Sequence, residues 1–268
     1  MNTRTLLKLS IAANAIFGIA IAGLSWRLDL PARAIAKVQH AIAGTEPVRV
    51  IERSDGQIRP RPESRDDWIA LFREEAAAMA DRNPEKLYVL LGDSITERFP
   101  AELLPPDRDW LNQGISSEHA HGLYERLGLL DGTNPQKIFV MIGINDLMFE
   151  HNSRNFLENY RRIASGLRDR HPGAEVVMLS VLPHRGIENF GEALQSVKDP
   201  ASNAEIRSVN QRLAAIAKEE GATFLDLTPI FSDRDGNLQA NITNDGLHLD
   251  KDGYTLWRGA LMLFDDPL

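Results

Sequence analysis

Short apolar runs alternate with amphipathic helical stretches in this chain from residue 87 onward. The mainly apolar runs cover residues 87–91, 138–142, 176–182 and 223–227, and a shorter apolar pair lies at 110–111. Runs of this length are typical of strands that are buried on both faces. Helical patterns separate them, at 117–130, 153–170, 202–220 and 252–264. This alternation predicts an α/β fold in which helices cover both faces of a parallel sheet.

Two of the predicted helices have well-marked ends or faces. Ser64 is a suitable N-cap, Asp66 and Asp67 lie in the first turn that follows it, and Asn83-Pro84 would end the helix. The helix predicted over 202–220 carries one apolar stripe, made of Ile206, Val209, Leu213, Ile216 and Ala217. The caps mark the ends of the first helix, and the stripe indicates the buried face of the second.

The N-terminal part of the chain differs from the rest. Basic residues precede an apolar segment at 9–24, and Trp26 and Arg27 follow it. This pattern predicts a hydrophobic helix that tethers the protein to a membrane, with the rest of the chain outside the cytoplasm. A cleaved signal peptide, with Ala32-Arg33-Ala34 as the cleavage site and a secreted or periplasmic product, is an alternative. A helix of a soluble protein is another.

Composition limits the remaining organisation and the possible partners. Gly and Pro are frequent between residues 34 and 63, so we expect an anchor at 1–30, a stalk at 31–63 and one domain at 64–268. The formal net charge is −8, which argues against nucleic-acid binding. The chain has no cysteine, which excludes disulfides, thiol catalysis and cysteine-ligated zinc.

Four predicted loops carry unusual polar residues. Three of them follow strands: Gly92-Asp93-Ser94, Asn112-Gln113-Gly114 and Gly143-Ile144-Asn145-Asp146. The fourth, Asp245-Gly246-Leu247-His248, precedes the last predicted helix. Because the carboxyl ends of parallel strands meet at one edge of the sheet, we expect these loops to lie close together.

These four blocks, in this order, resemble those of the SGNH (GDSL-like) hydrolase superfamily. The resemblance covers about residues 87–264, and within the superfamily it is nearest to branches that resemble platelet-activating-factor acetylhydrolases and lysophospholipase/thioesterases. It implies a flavodoxin-like three-layer α/β/α sandwich with a five-stranded parallel sheet. It also implies hydrolysis without a metal or an organic cofactor.

The residue types suit acyl transfer from an ester. Ser94 would be the nucleophile, His248 the base that takes its proton, and Asp245 the carboxylate that orients the imidazole. The N–H groups of Ser94 and Gly114 and the side-chain amide of Asn145 would form an oxyanion hole. Each of these residues also has an ordinary structural role as a cap or turn residue, so only the complete set indicates catalysis.

We therefore expect a serine esterase that forms an acyl-enzyme on Ser94. Short-chain acetyl esters and lysophospholipid-type lipids are equally suitable substrates on this evidence, and thioesters are an alternative. A non-catalytic module that binds glycans or another ligand in the same cleft is a different class of function. A phosphate-binding domain is disfavoured because the first loop lacks a glycine-rich cradle. The sequence does not indicate an oligomeric state.

Other residues suggest weaker hypotheses. The pair His119 and His121 would lie at the rim of the cleft, since it lacks the third ligand that a metal site needs. His184 follows a predicted strand and is a candidate for lining the pocket. Leu147, Met148 and Phe149 could form a wall of the acyl pocket or begin the next helix.

Overall fold

A parallel sheet of five strands lies at the centre of the computed structural model, which describes residues 50–52, 58–150, 153–191, 194, 197 and 200–265. In chain order the strands are β1 (Val50–Glu52), β2 (Ile58–Pro60), β3 (Leu87–Gly92), β4 (Asp109–Gly114), β5 (Lys137–Met141), β6 (Glu175–Leu179) and β7 (Thr223–Leu225). β1 and β2 form a separate two-stranded sheet, and the order in the main sheet is β4-β3-β5-β6-β7. Every neighbouring pair in the main sheet is parallel, which confirms the predicted α/β fold.

Strand bounds differ from the predicted ones where polar residues are buried. β4 is longer than its apolar pair because Asn112 and Gln113 continue it, and both are buried. Their amides donate to the carbonyls of Thr96 (2.8 Å) and Phe72 (3.3 Å), so both amide N–H groups are hydrogen-bonded although they are buried. Apolar periodicity cannot reveal a strand of this kind. β6 and β7 end before their apolar runs do.

Helices connect the strands. They are α1 (Arg65–Arg82), α2 (Ser94–Glu97), α3 (Ala120–Glu125), α4 (Ser153–Arg170), α5 (Asn203–Glu219), α6 (Thr228–Phe231) and α7 (Lys251–Asp265). A π-helical turn covers Asp146–Glu150. The single helix predicted over 117–130 was wrong, since α3 ends before Arg126 and a 3₁₀ turn at Leu127–Leu130 follows. The side chain of Arg126 is buried at this break.

The sequence signals for α1 and α5 are confirmed. Ser64 caps α1 by accepting a hydrogen bond from the Asp67 N–H, and Asn83 ends this helix in the left-handed conformation. Ser202 and Glu205 form the same kind of capping box at the start of α5. All five apolar stripe residues of α5 are buried.

The core lies around the sheet. Every residue of β3 is buried, so this strand is covered on both faces. The main apolar cluster joins the sheet to α4, α5 and α7, while Trp68 and Phe72 of α1 pack with Ile115 in a smaller cluster. The carboxyl ends of the strands are therefore held rigidly, and the loops that leave them are well placed to carry a site.

The described residues from Ile51 onward belong to one compact unit. Within it, the Arg61 guanidinium at the end of the predicted stalk donates to the Glu97 carboxylate at 3.1 Å. The predicted hydrophobic segment 9–24, the Ala32-Arg33-Ala34 site and most of the stalk lie outside the described residues. Among the described helices, none combines the length and the apolar character that crossing a membrane requires.

Candidate active site

The predicted loops meet at the carboxyl edge of the sheet. β3 pairs with β4 on one side and β5 on the other, so Ser94, Gly114 and Asn145 leave three adjacent strands. His248 comes from the loop before α7. That helix is attached to the first loop by Tyr254, whose hydroxyl donates to the Ile95 carbonyl at 2.8 Å.

Ser94, His248 and Asp245 form a continuous hydrogen-bonded chain. The Ser94 Oγ lies 2.9 Å from the His248 Nε2. The His248 Nδ1 lies 2.6 Å from the Asp245 Oδ2. With the carboxylate on Nδ1, the other ring nitrogen is free to accept the serine proton, which is the geometry that activates an alcohol.

The environment of Asp245 favours its charged form. Partial burial raises the pKa of Asp245, but hydrogen bonds from the His248 ring and from the backbone N–H groups of His248 and Leu247 outweigh it and hold the pKa below its ordinary value. The two backbone donors lie 2.8 and 3.0 Å from the Asp245 Oδ1. Asp245 therefore remains an anion that can stabilise a protonated imidazole.

The loop at residues 184–191 holds the Asp245 turn in place, and the sequence analysis did not predict this contact. The Arg185 N–H donates to the Gly246 carbonyl (2.8 Å), and the Gly191 N–H donates to the Asp245 carbonyl (2.9 Å). His184 fixes the start of this loop, because its Nδ1 accepts from the Gly186 N–H and its Nε2 lies 2.9 Å from the Ala201 carbonyl. With both ring nitrogens occupied and the ring buried, His184 supports this loop.

The first two loops approach each other too closely for side chains. A Cβ on Gly92 would lie 2.1 Å from the Met141 carbonyl, and a Cβ on Gly114 would lie 2.2 Å from the Glu97 nitrogen. Neither glycine has a positive φ. Both glycines therefore allow a close backbone contact, and a side chain at either position would push the two loops apart.

The three predicted oxyanion donors differ in how they are engaged. The Ser94 N–H has no acceptor in the part of the chain that the structure describes. The Asn145 amide donates to the Glu118 carbonyl at 2.9 Å, and its second hydrogen remains available. The Gly114 N–H donates to the Asn112 Oδ1 at 3.0 Å, so it can serve an oxyanion only by leaving or sharing that bond.

Asn112 is a site residue that the sequence analysis missed. Its amide donates to the Thr96 carbonyl in the first loop, and its carbonyl oxygen accepts from the Gly114 N–H in the second. One buried side chain thus joins both loops. An Asn two residues before a candidate donor glycine was the available signal, but it lies within a strand and shows no pattern of its own.

Asp93, beside Ser94, is buried, and its negative charge is poorly compensated. Its Oδ1 accepts from the Ile95 N–H at 3.0 Å and thereby caps α2. Burial raises the pKa of Asp93 to about 7, against the Ile95 hydrogen bond, and the negative charges of Asp146 and Glu118 add to the rise. Asp93 acts on the loop backbone, and no hydrogen bond described for it reaches the His248 imidazole.

The two histidines and the apolar residues of the weaker hypotheses lie in ordinary structural environments. His119 Nδ1 lies 3.9 Å from Asp146, and His121 is exposed beside Glu125. No group of three or more His, Cys, Asp or Glu side chains suited to a metal ion occurs among the described residues. Leu147 and Met148 lie in the apolar core, which leaves only Phe149, half-exposed, of the suggested acyl-pocket wall.

Comparisons with known proteins agree with this geometry. Residues 90–256 match the model of the GDSL-like lipase/acylhydrolase family. The human platelet-activating factor acetylhydrolase IB subunit alpha1 is 29% identical over 196 residues, which cover 70% of this chain and 78% of the relative. These matches confirm the resemblance that the four blocks indicated.

Solved structures show the same fold. A candidate platelet activating factor from Streptococcus pneumoniae superposes with a TM-score of 0.63 at 27% identity, over 74% of this chain and 95% of the other. A GDSL-like lipase from Bacteroides thetaiotaomicron superposes with a TM-score of 0.60 at 22% identity, over 73% of this chain and 96% of the other. At that identity, the second likeness concerns the fold alone.

Proposed function

Because this chain belongs to the GDSL-like lipase/acylhydrolase family, we propose that it is a serine esterase that forms an acyl-enzyme on Ser94. The single observation that carries this proposal is the chain of contacts from the Ser94 Oγ to the His248 Nε2 and from the His248 Nδ1 to Asp245. A module that only binds ligands has no need for this arrangement.

The first half of the reaction follows from these contacts. The Ser94 oxygen attacks the ester carbonyl carbon as its proton moves to the His248 Nε2, which gives a tetrahedral oxyanion. Asp245 stabilises the imidazolium that forms. Collapse of this intermediate breaks the bond to the alcohol, which takes the proton from His248 and leaves the acyl group on Ser94.

The second half repeats these steps with water. His248 removes a proton from the water as its oxygen attacks the acyl carbon. The second tetrahedral intermediate then releases the carboxylic acid and returns the proton to Ser94. No metal or organic cofactor takes part in the proposed cycle.

The proposed oxyanion hole requires one local change. The N–H of Ser94 and the second amide hydrogen of Asn145 are ready to donate, while the Gly114 N–H is bonded to Asn112. We propose that a negatively charged oxygen, as the stronger acceptor, takes over the Gly114 N–H from the neutral Asn112 amide oxygen, while the peptide group keeps its direction. Each donor of this kind contributes about 3–4 kcal/mol to transition-state stabilisation.

We propose a carboxylic ester with a short acyl group as the substrate. The human relative is named an acetylhydrolase, which supports an acetyl ester. The burial of Leu147 and Met148 in the core also removes two side chains that could have lined a long acyl pocket. Lysophospholipid-type esters and thioesters are the alternatives that the experiment below distinguishes.

A membrane tether through residues 9–24 remains part of the proposal, as does the location of the catalytic domain outside the cytoplasm. The three-layer α/β/α arrangement and the limits 1–30, 31–63 and 64–268 also remain predictions. The support for the tether is the order of basic, apolar and aromatic residues in the sequence. Mass spectrometry of the mature N-terminus tests it, since a chain that starts near residue 35 would lack the tether.

The test of the enzyme uses the full chain, purified in mild detergent, beside Ser94→Ala. Both are assayed on p-nitrophenyl esters of increasing acyl length and on the matching thioesters. We expect the wild type to hydrolyse the acetyl ester fastest and Ser94→Ala to be inactive. Equal rates for the two proteins on every ester would exclude the proposed function, and an optimum at long chains would favour lipid esters.

A further inference from the structure

A buried ion pair lies beside the candidate active site and takes no part in the reaction described above. The Arg126 Nε and Nη2 donate to the Glu118 Oε2 at 2.8 and 2.6 Å. The two side chains are only 3% and 2% exposed. Burying two charges is costly, and well-packed apolar residues often stabilise such a position equally well. This pair therefore indicates a role other than stability alone.

Arg126 also contacts the backbone of the first two site loops. Its Nη2 donates to the Gln113 carbonyl at 2.7 Å and lies 3.5 Å from the Gly92 carbonyl. The Gln113 carbonyl and the Gly114 N–H belong to one planar peptide group. A donor that fixes this carbonyl consequently fixes the direction of the Gly114 N–H, which is a proposed oxyanion donor.

Glu118 links Arg126 to the third loop, which carries Asn145. Its backbone carbonyl accepts the hydrogen bond from the Asn145 side chain at 2.9 Å. Its carboxylate is meanwhile held by Arg126 and lies 3.6 Å from the Arg65 guanidinium. The orientation of Asn145, a second proposed oxyanion donor, therefore depends on a residue that Arg126 holds.

We propose that Arg126, held by Glu118, is the positioning residue of the oxyanion hole and aims the Gly114 N–H and the Asn145 amide at the reacting oxygen. This proposal rests on the proposed esterase function. The Arg126 side chain is 3% exposed, and its hydrogen bonds in the described part of the chain go to Glu118 and to loop carbonyls, so it acts through the groups that it orients. Its positive charge also polarises the Gln113–Gly114 peptide group, which makes that N–H a stronger donor.

The position demands arginine. The guanidinium reaches the Glu118 carboxylate and the Gln113 carbonyl at once and lies 5.4 Å from the centre of the Phe72 ring. A lysine keeps the charge but has a single nitrogen, which cannot hold these partners in the same fork. Arg126→Lys therefore separates the orientation of the donors from the charge.

The experiment compares the full-length wild type with Arg126→Lys, Glu118→Gln and Arg126→Ala on p-nitrophenyl acetate. Glu118→Gln keeps the backbone carbonyl that holds Asn145 but removes the ionic partner of Arg126. A displaced catalytic group costs about 10²-fold in rate, so we expect kcat to fall by that order with KM unchanged. We also expect millimolar methylguanidinium to restore part of the lost kcat of Arg126→Ala.

Arg170→Ala is the matched control. Arg170 forms an exposed ion pair with Asp131 at 2.6 Å, far along the chain from the four loops, so its removal should leave kcat unchanged. Wild-type kcat in both folded Arg126→Lys and folded Glu118→Gln would overturn the proposal. So would a rise in KM with unchanged kcat.

Hydrogen exchange measured by mass spectrometry gives a readout that does not need activity. In Arg126→Lys we expect faster exchange in residues 92–97 and 112–118, with unchanged protection in β6 and α5. Unchanged exchange in those two segments would overturn the positioning role. If the wild type hydrolyses no ester but these segments exchange faster, the proposed function fails while the role of Arg126 in orienting the loops stands.

Discussion

Two buried carboxylates at opposite ends of the same sheet have opposite surroundings. At the carboxyl end, burial raises the pKa of Asp93, and two nearby carboxylates, Asp146 and Glu118, add to the rise. Asp265 at the amino end forms ion pairs with Arg108 and Lys137, the latter at 2.6 Å, and accepts a hydrogen bond from the Tyr88 hydroxyl at 2.9 Å.

The difference shows which end of the sheet is built for stability. At the amino end, two cations and a hydroxyl compensate one carboxylate and attach the end of α7 to β3 and β5. At the carboxyl end, the charged and polar groups orient the backbone around Ser94, and Asp93 is left with little compensation. A site that is organised in this way is expected to cost stability, which the amino end helps to offset.

The largest expected effect is on activity. His248→Ala removes the proposed base for the Ser94 proton, so kcat should fall about 10⁴-fold or more. Because His248 contributes to the site and not to the core, the free energy of unfolding should change by less than about 1 kcal/mol. Ester hydrolysis and urea unfolding measure the two quantities. Retention of activity would show that the carboxyl end is not organised around this histidine.

Asp93→Asn should stabilise the protein above neutral pH. The folded pKa of about 7 exceeds the ordinary 3.8, so the stability that this carboxyl contributes is complete below about pH 4 and is lost as the pH rises through 7. Asn can keep the cap on the Ile95 N–H without a charge. At pH 8 the gain should reach at most about 4 kcal/mol, the value of this pKa difference.

Urea unfolding of both proteins at pH 4 and pH 8 tests this prediction. The difference between the wild type and Asp93→Asn should be small at pH 4 and large at pH 8. An equal difference at both values would mean that Asp93 does not titrate in this range, and the contrast between the two ends of the sheet would lose its electrostatic basis.

Asp265→Asn should lower the free energy of unfolding, in contrast to Asp93→Asn. It leaves Arg108 and Lys137, whose side chains are only 10% and 16% exposed, without their shared anion. Breaking a buried pair from one side destabilises by about 3 kcal/mol, and the partners that remain, Asp107 for Arg108 and Glu175 for Lys137, reduce this loss. We expect this loss at pH 8 in urea unfolding, with kcat unchanged in the folded protein. A stabilised variant would contradict the role assigned to the amino end.

The smallest effect is expected for an ion pair at neither end. Arg170 and Asp131 are 43% and 53% exposed, so Arg170→Ala should cost less than about 1 kcal/mol, and salt should reduce that cost. Urea unfolding at low and high ionic strength measures it. A loss as large as that of Asp265→Asn would show that burial does not determine how much these ion pairs contribute to the free energy of unfolding.

Much of the fold was predictable because it depends on local patterns. The apolar runs of β3 and β5, the Ser64 cap and the stripe of α5 each report on neighbouring residues, and the structure agrees with them. The prediction was wrong at 117–130 and incomplete at β4, because a buried arginine and two buried amides interrupt the apolar pattern there.

The sequence by itself determined the strand–helix alternation, and with it the parallel sheet and the edge at which the four polar loops meet. Only the tertiary structure decided which polar groups face each other. Ser94 and His248 are 154 positions apart, and Arg126 meets the Gln113 carbonyl only because α3 ends where it does. Periodicity reports which side of an element is buried, whereas a hydrogen bond depends on distances of a few tenths of an ångström between distant segments.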